Sequence, residues 1–286
     1  MIARDVDDIS IGALAQVACL LEVAAPKAGN VHPARSFDDM TWMDFAVAAA
    51  AIAPVMDRAH QRSLGETVLD SVRATRAASG KNVNLGIILL LGVVATVRRG
   101  DDLRVGVRGV LDGLDADDCR RVYEAITLAA PGGLGKVESG DVHDEPPGDL
   151  IASMRLASDH DLIARQYANG FAEAIDVGVP RLEAALTDGL GLHDAVVRLH
   201  LELMARHPDS LITRKCGVET ACESSARARA VLDAGWPSTE GLESFQKLDD
   251  WLRADGHRRN PGTSADLVAV ILFLSLRSGR LPVPLP

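Results

Sequence analysis

Aromatic residues are scarce: Phe, Trp and Tyr together make up 3% of the 286 residues. Sheet sandwiches and barrels draw more heavily on aromatic and β-branched side chains, so this scarcity argues against a predominantly β fold. Lysine is scarcer still. Of 30 basic residues only five are lysine, and 40 acidic residues outnumber them, leaving a formal charge of -10. Such a chain lacks the basic face with which a general nucleic-acid binder displaces counterions. No apolar run reaches the roughly 20 residues of a membrane span. The longest, Leu85 to Val97, stops at Arg98 and Arg99 and predicts a buried helix. The cysteines, Cys19, Cys119, Cys216 and Cys222, are scattered without paired zinc-ligand spacing. They are expected to be reduced core thiols in a cytoplasmic protein. The acidic N-terminus lacks the basic and apolar parts of a secretory signal, so export is not expected.

What the sequence does have is a hydrophobic fraction of 47% with 24% charged residues, enough to bury a large core. Alanine, leucine and valine dominate it, and apolar positions recur at helical spacing. Ile11, Leu14, Ala18 and Leu21 fall on one face before Pro26 and Gly29 end the segment. Further helices are expected at about 40–57, 63–78, 84–99, 115–130, 149–157, 160–176, 179–188, 191–206, 215–234, 239–254 and 263–278. Leu103, Val107, Val110, Leu111 and Leu114 fit a helix as well as Leu103 to Val107 fit a strand, and we read them as helix. The expectation is an all-α, bundle-like protein of about ten to twelve helices. Residues 1–280 would form a single catalytic domain and 281–286 an extended tail. The segment 131–148, rich in Gly, Pro and Asp, reads as a long loop over a site.

Several polar groups interrupt this apolar pattern. Glu22 shares a helical stripe with Ile11 and Ala18, so it points inward. That position suits either a buried ion pair, for instance with an arginine of a facing helix, or a ligand for a cation or substrate. The turn that follows, Pro26-Lys27-Ala28-Gly29-Asn30-Val31-His32-Pro33, supplies an ammonium, an amide and an imidazole. Beyond it, Asp38 or Asp39 could cap the next helix. Asp44 lies one turn further on, where two carboxylates could share a face with the reach to hold Mg²⁺. Gly80-Lys81-Asn82-Val83-Asn84-Leu85-Gly86 opens the most apolar helix, where free amides and the dipole favour an anion. Asn82 or Asn84 could equally be a simple cap, and the segment is not a Walker motif.

Four of the five lysines, Lys27, Lys81, Lys136 and Lys215, lie within two residues of a glycine, where an ammonium can meet a phosphate. Arg214 and Lys215 form a second candidate clamp. Thr263 with Asp266 resembles a capping box, which makes capping the expected role of Asp266. His193, His200 and His207 recur every seven residues, about 10 Å apart along a helix, too far to share an ion. They are expected on a partly exposed helix edge.

In order, these segments resemble the triphosphoribosyl-dephospho-CoA synthase family. The motifs are Glu22 with PKAGNVHP, FDDM with Asp44-Phe45, GKNVNLG, Arg155 with Asp161, PDSLITRKCG and NPGTSADL, spanning about residues 16 to 276. The resemblance implies an all-helical enzyme that uses ATP and Mg²⁺ to move the triphosphoribosyl group onto the 2′-hydroxyl of dephospho-CoA, releasing adenine. Two departures stand out. The family's PKPG turn has Ala28 in place of its second proline, and G-x-N-T-H-K-G has Val83, Asn84 and Leu85 in place of Thr, His and Lys. The second change puts the identity of the acceptor in question.

On this reading Glu22, Asp39 and Asp44 form a carboxylate cluster that holds Mg²⁺, with one of them acting as base. Lys27, Lys81, Arg214 and Lys215 bind phosphates, while Asn30, Asn82 and Asn84 orient ribose or phosphate oxygens. The expected partners are small molecules, ATP and dephospho-CoA or a related acceptor, with neither nucleic acid nor membrane; the apolar helices leave room for a homodimer interface. Two rivals remain: a Mg-dependent N-glycosidic hydrolase and a non-catalytic helical nucleotide-binding protein.

Overall fold

A computed structural model describes residues 9–129, 148–283 and 285. Among these the chain is helical and contains no strand; its one β contact is an isolated bridge between His32 and Arg35. Fourteen α-helices follow one another. They are α1 (Ile11–Ala24), α2 (Trp42–Met56), α3 (Leu64–Ser79), α4 (Leu85–Thr96), α5 (Leu103–Asp112), α6 (Ala116–Ala129) and α7 (Leu150–Ala157), then α8 (Leu162–Asn169), α9 (Val179–Thr187), α10 (Leu192–Arg206), α11 (Ser210–Cys216), α12 (Val218–Asp233), α13 (Thr239–Arg253) and α14 (Gly262–Arg277). The expected loop at 131–148 falls almost wholly outside the described residues, as does Lys136.

The two most apolar helices form the centre. In α14 every residue from Thr263 to Leu276 is buried except Asp266, and in α4 the run Ile87 to Ala95 is buried. A helix that is apolar all round has no face to offer water and must be enclosed. Accordingly α14 packs on α1, α4, α8, α9, α10 and α11. Two polar links lock this centre. The hydroxyl of Tyr167 on α8 donates to the carbonyl of Leu89 at 2.7 Å, and Arg277 at the end of α14 donates to the carbonyls of Val94 and Val97, satisfying the last turn of α4. The apolar core is contiguous from Ile11 to Leu281.

More helices form than the ten to twelve expected, because backbone breaks divide two apolar stretches. The helix expected over 160–176 stops at Gly170, in the left-handed conformation, and Phe171 follows at φ 61°. A π-helical segment, Glu173–Gly178, then leads into α9. The helix expected over 215–234 is divided at Gly217 (φ 88°) and begins earlier, at Ser210. Leu103 to Asp112 is helical, as the apolar spacing indicates. The C-terminal segment is anchored further than expected: Leu281 is buried and its amide donates to the carbonyl of Ser275 at 3.0 Å. Of the four cysteine thiols, only Cys19 and Cys119 lie in the core; Cys216 is half-buried and Cys222 exposed. His200 departs from the exposed edge expected of it and is fully buried.

Candidate functional site

The turn after α1 is built around a buried ion pair. Lys27 folds back so that its Nζ lies 2.8 Å from Glu22 Oε1, and it also donates to the carbonyls of Glu22 and Ala25. Both residues are buried, and the partner comes from the following turn rather than from an arginine of a facing helix. Asn30 is equally committed. Its Nδ2 lies 3.2 Å from His200 Nε2 and 3.3 Å from the Ala28 carbonyl. Gly29, at φ 71°, donates its amide to Asp249 Oδ1 at 2.7 Å, and a Cβ there would strike Leu252 and Pro261. Burial, followed by the nearby Lys27 ammonium, pushes the His200 imidazole down to about 3, so it is neutral at physiological pH.

The acidic stretch at 38–44 meets the GKNVNLG corner through Lys81. Its Nζ lies 3.1 Å from both carboxylate oxygens of Asp44 and donates to the Asp39 carbonyl at 2.8 Å. Asp44 also closes a capping box with Thr41, so Thr41, not Asp38 or Asp39, starts α2. The Thr41 amide, then Lys81, holds the Asp44 carboxyl below the usual carboxylate range. The carboxylate of Asp39 points elsewhere, 3.8 Å from His257 Nδ1, whose ring stacks on Phe37 with centroids 5.1 Å apart. Asn84 is the N-cap of α4 yet makes no side-chain cap bond, and its buried Oδ1 has no partner among the described residues. With Lys81, Asn82, Thr75 and Arg76 it lines a shallow surface depression.

Three helix starts converge on the other side of that corner. Asp209 caps α11 by accepting from the amides of Leu211 (2.9 Å) and Ile212 (3.2 Å). Its second oxygen accepts from the amide and hydroxyl of Ser264 at 2.7 and 2.8 Å, tying down the first turn of α14. Ser210 accepts from the amide of Leu162 at 2.8 Å, joining the start of α8. Asp161 caps α8, and its free oxygen pairs with Arg214 at 2.7 Å. Asp266, at the head of α14, does not cap: Pro261 occupies the N-cap position and makes no side-chain bond. The Asp266 carboxyl lies instead against Gly86, where any Cβ would overlap Oδ2. Burial, then Glu22, Asp209 and Asp161, pushes it well above the usual carboxylate range, with Arg214 opposing.

The corner 80–86 therefore has Asp44 and Lys81 at one end and Asp266, within electrostatic reach of Glu22 and Asp209, at the other. Lys215 spans the same region. It is half-buried, its carbonyl accepts from Arg258 at 3.1 Å, its ammonium forms no bond or ion pair among the described residues, and it lies within electrostatic reach of Asp39 and Asp209. Burial pushes its ammonium below the ordinary lysine range. Of the expected site residues, the structure leaves Lys81, Asn82, Arg214 and Lys215 at this surface, and takes Lys27 and Asn30 into internal bonds. The donor set expected for Mg²⁺, namely Glu22, Asp39 and Asp44, does not fit the ion as it stands. Lys27 and Lys81 neutralise two of the three, and among the described residues no group of three His, Cys, Asp or Glu side chains is placed to hold a metal. Asp209 and Asp266 complete the site and were not expected in it. The available signal was Gly86, a glycine opening an otherwise apolar helix, which marks a close approach to the backbone.

Helix starts, cations and carboxylates gathered around one corner of an all-α core suit the class of helical protein that handles an anionic, phosphorylated substrate. Comparison with known proteins narrows that class. The CitG family, described as ATP:dephospho-CoA triphosphoribosyl transferase, matches residues 9–282, and the chain belongs to it. A protein of Photobacterium profundum named "Probable 2-(5''-triphosphoribosyl)-3'-dephosphocoenzyme-A synthase" is 27% identical, covering 93% of this chain and 86% of its own. A protein of the same name from Albidiferax ferrireducens is 29% identical over 93% of this chain and 90% of its own. A crystal structure from Archaeoglobus fulgidus, assigned as triphosphoribosyl-dephospho-CoA synthase, superposes with a TM-score of 0.64 at 28% identity. It covers 81% of this chain and 98% of its own.

Proposed function

We propose that this chain is an ATP-dependent transferase that moves the triphosphoribosyl group of ATP to the 2′-hydroxyl of dephospho-CoA, or of a related acceptor, and releases adenine. The family match over residues 9–282 carries the reading, and the cation and carboxylate groups around the 80–86 corner suit its chemistry. Departure of adenine from the anomeric carbon builds positive charge on the ribose ring, as in glycoside hydrolysis. Carboxylates beside the ring stabilise that charge, and the triphosphate requires several cations.

Lys215 is the readiest phosphate ligand, because among the described residues its ammonium has no partner to give up. Arg214 and Lys81 join it by exchanging Asp161 and Asp44 for phosphate oxygens, a charge-assisted swap at similar distance. Asn82 and Asn84 face the same corner, and the unpartnered Asn84 Oδ1 accepts a bond from a substrate hydroxyl or amine. Asp39, the most exposed of the three expected carboxylates, takes the acceptor's proton, while Asp44, once Lys81 has turned to phosphate, supplies negative charge. Mg²⁺ would arrive with the triphosphate and neutralise its charge against a protein of -10. Use of ATP as donor supports reading the protein as cytoplasmic.

The test is mass spectrometry of the products formed from ATP with a panel of hydroxyl acceptors. The expected result is free adenine only when an acceptor is present, with a product heavier than that acceptor by a triphosphoribosyl group. Adenine without acceptor would make the protein a hydrolase, and no adenine under any condition would make it a binding protein.

A further inference from the structure

Asp266 stands apart from every other acidic residue near the site. It is the one residue between Thr263 and Leu276 that is not fully buried, and it breaks the apolar face of the central helix. Its carboxyl accepts no hydrogen bond and forms no ion pair among the described residues. Around it, α1 presents Glu22 and the thiol of Cys19, the start of α11 presents Asp209 and Arg214, and the start of α8 presents Asp161. Three of those groups are carboxylates. Asp209 and Asp161 are already engaged in caps, and the single guanidinium, Arg214, is paired with Asp161. The positive end of α4 favours ionisation, but a helix terminus alone is too weak to reverse burial beside three acidic neighbours. Burial and these acidic neighbours shift Asp266 towards its protonated form, the form that can donate a proton. Gly86 lets that carboxyl lie directly against the start of α4, since any side chain there would overlap it.

We propose that Asp266 is the general acid of the transfer reaction, donating its proton to a ring nitrogen of adenine as the base leaves. This rests on the transferase reading above and assigns one further residue to it. The bond between the anomeric carbon and N9 breaks, with its electron pair going to adenine as Asp266 protonates the base. The anomeric carbon gains a bond to the acceptor oxygen, whose proton passes to a carboxylate of the site, and solvent returns a proton to Asp266. Every proton and electron pair is accounted for without a further reactant.

The test compares ATP with N7-methylated ATP, whose base is already cationic and leaves without being protonated, in the wild-type protein and in Asp266→Asn. General acids are typically worth about 10²–10⁴ in rate, so Asp266→Asn is expected to lower kcat on ATP by that factor. KM should change little, and turnover of the methylated donor should stay within a few-fold of wild type. Equal losses on both donors, or no loss on ATP, would overturn the assignment. If the variant fails to fold, wild-type pH profiles decide. Turnover of ATP should fall as pH rises through the Asp266 titration while turnover of the methylated donor does not; two parallel profiles would overturn it. A wild-type protein that releases no adenine at all would instead overturn the transferase reading.

Discussion

The Glu22–Lys27 pair is the most demanding feature at the scale of single residues, because both charges have left water and only each other and two carbonyls replace it. Removing one partner of a buried pair strands the other, which costs about 3–5 kcal/mol. Lys27→Met is therefore expected to destabilise the fold by that amount in denaturant titrations, and adding Glu22→Gln should recover much of it. A phosphate-binding role for Lys27 predicts instead a loss of ATP affinity at unchanged stability. His200 adds a pH dependence of fixed sign. Its folded value is about 3 against an ordinary 6.5, so between those limits the unfolded chain binds the extra proton and stability falls as pH falls. In His200→Gln, stability measured from pH 6.5 down to pH 4 should decline less steeply than in wild type. A wild-type slope at least as shallow would contradict a neutral buried imidazole.

The helix is the scale at which the sequence was most readable. Apolar spacing marks most of the helices, and in the structure α3 begins on a capping box of Ser63 with Glu66. Ends were less readable. The left-handed Gly170 and Gly217 divide apolar stretches that look continuous, because periodicity records which face is buried and carries nothing about backbone handedness. Helix starts also do more than begin helices here, since Asp209 joins α11 to α14 through four accepted bonds. Asp209→Ala leaves buried donors without partners and is expected to cost roughly 3 kcal/mol, with faster amide exchange in the first turns of both helices. Protection loss confined to α11 would show that the link to Ser264 carries no weight. Gly86→Ala tests the opposite case, a helical position where alanine normally gains stability. Here the added methyl displaces the Asp266 carboxyl, so turnover is expected to drop at least tenfold while the helical circular dichroism is retained.

The whole molecule is organised around α4 and α14, and its boundary lies further along the chain than composition suggests. Leu281 is completely buried, and enclosing a leucine is worth about 1.5–3 kcal/mol. Ending the chain at residue 280 should lower stability by about that much, whereas ending it at 281 should change little; equal melting temperatures for the two truncations would show that Leu281 contributes nothing.

The sequence by itself determined the all-α class, the enclosed helices and the family, because each is encoded locally: in spacing along one helix, in composition, and in short motifs in order. It also marked Lys81, Arg214, Lys215 and Asp44 as chemically charged positions beside breaks. Only the tertiary structure decided which groups meet. Glu22 spends its charge on Lys27, Asp44 on Lys81 and Asp161 on Arg214, while the Asp266 carboxyl, read from its spacing as a cap, is left without a partner among the described residues. The reason is geometric. Helical periodicity fixes the direction of a side chain about its own axis, but the distance between residues on different helices is set by how those helices pack, and no local pattern contains it.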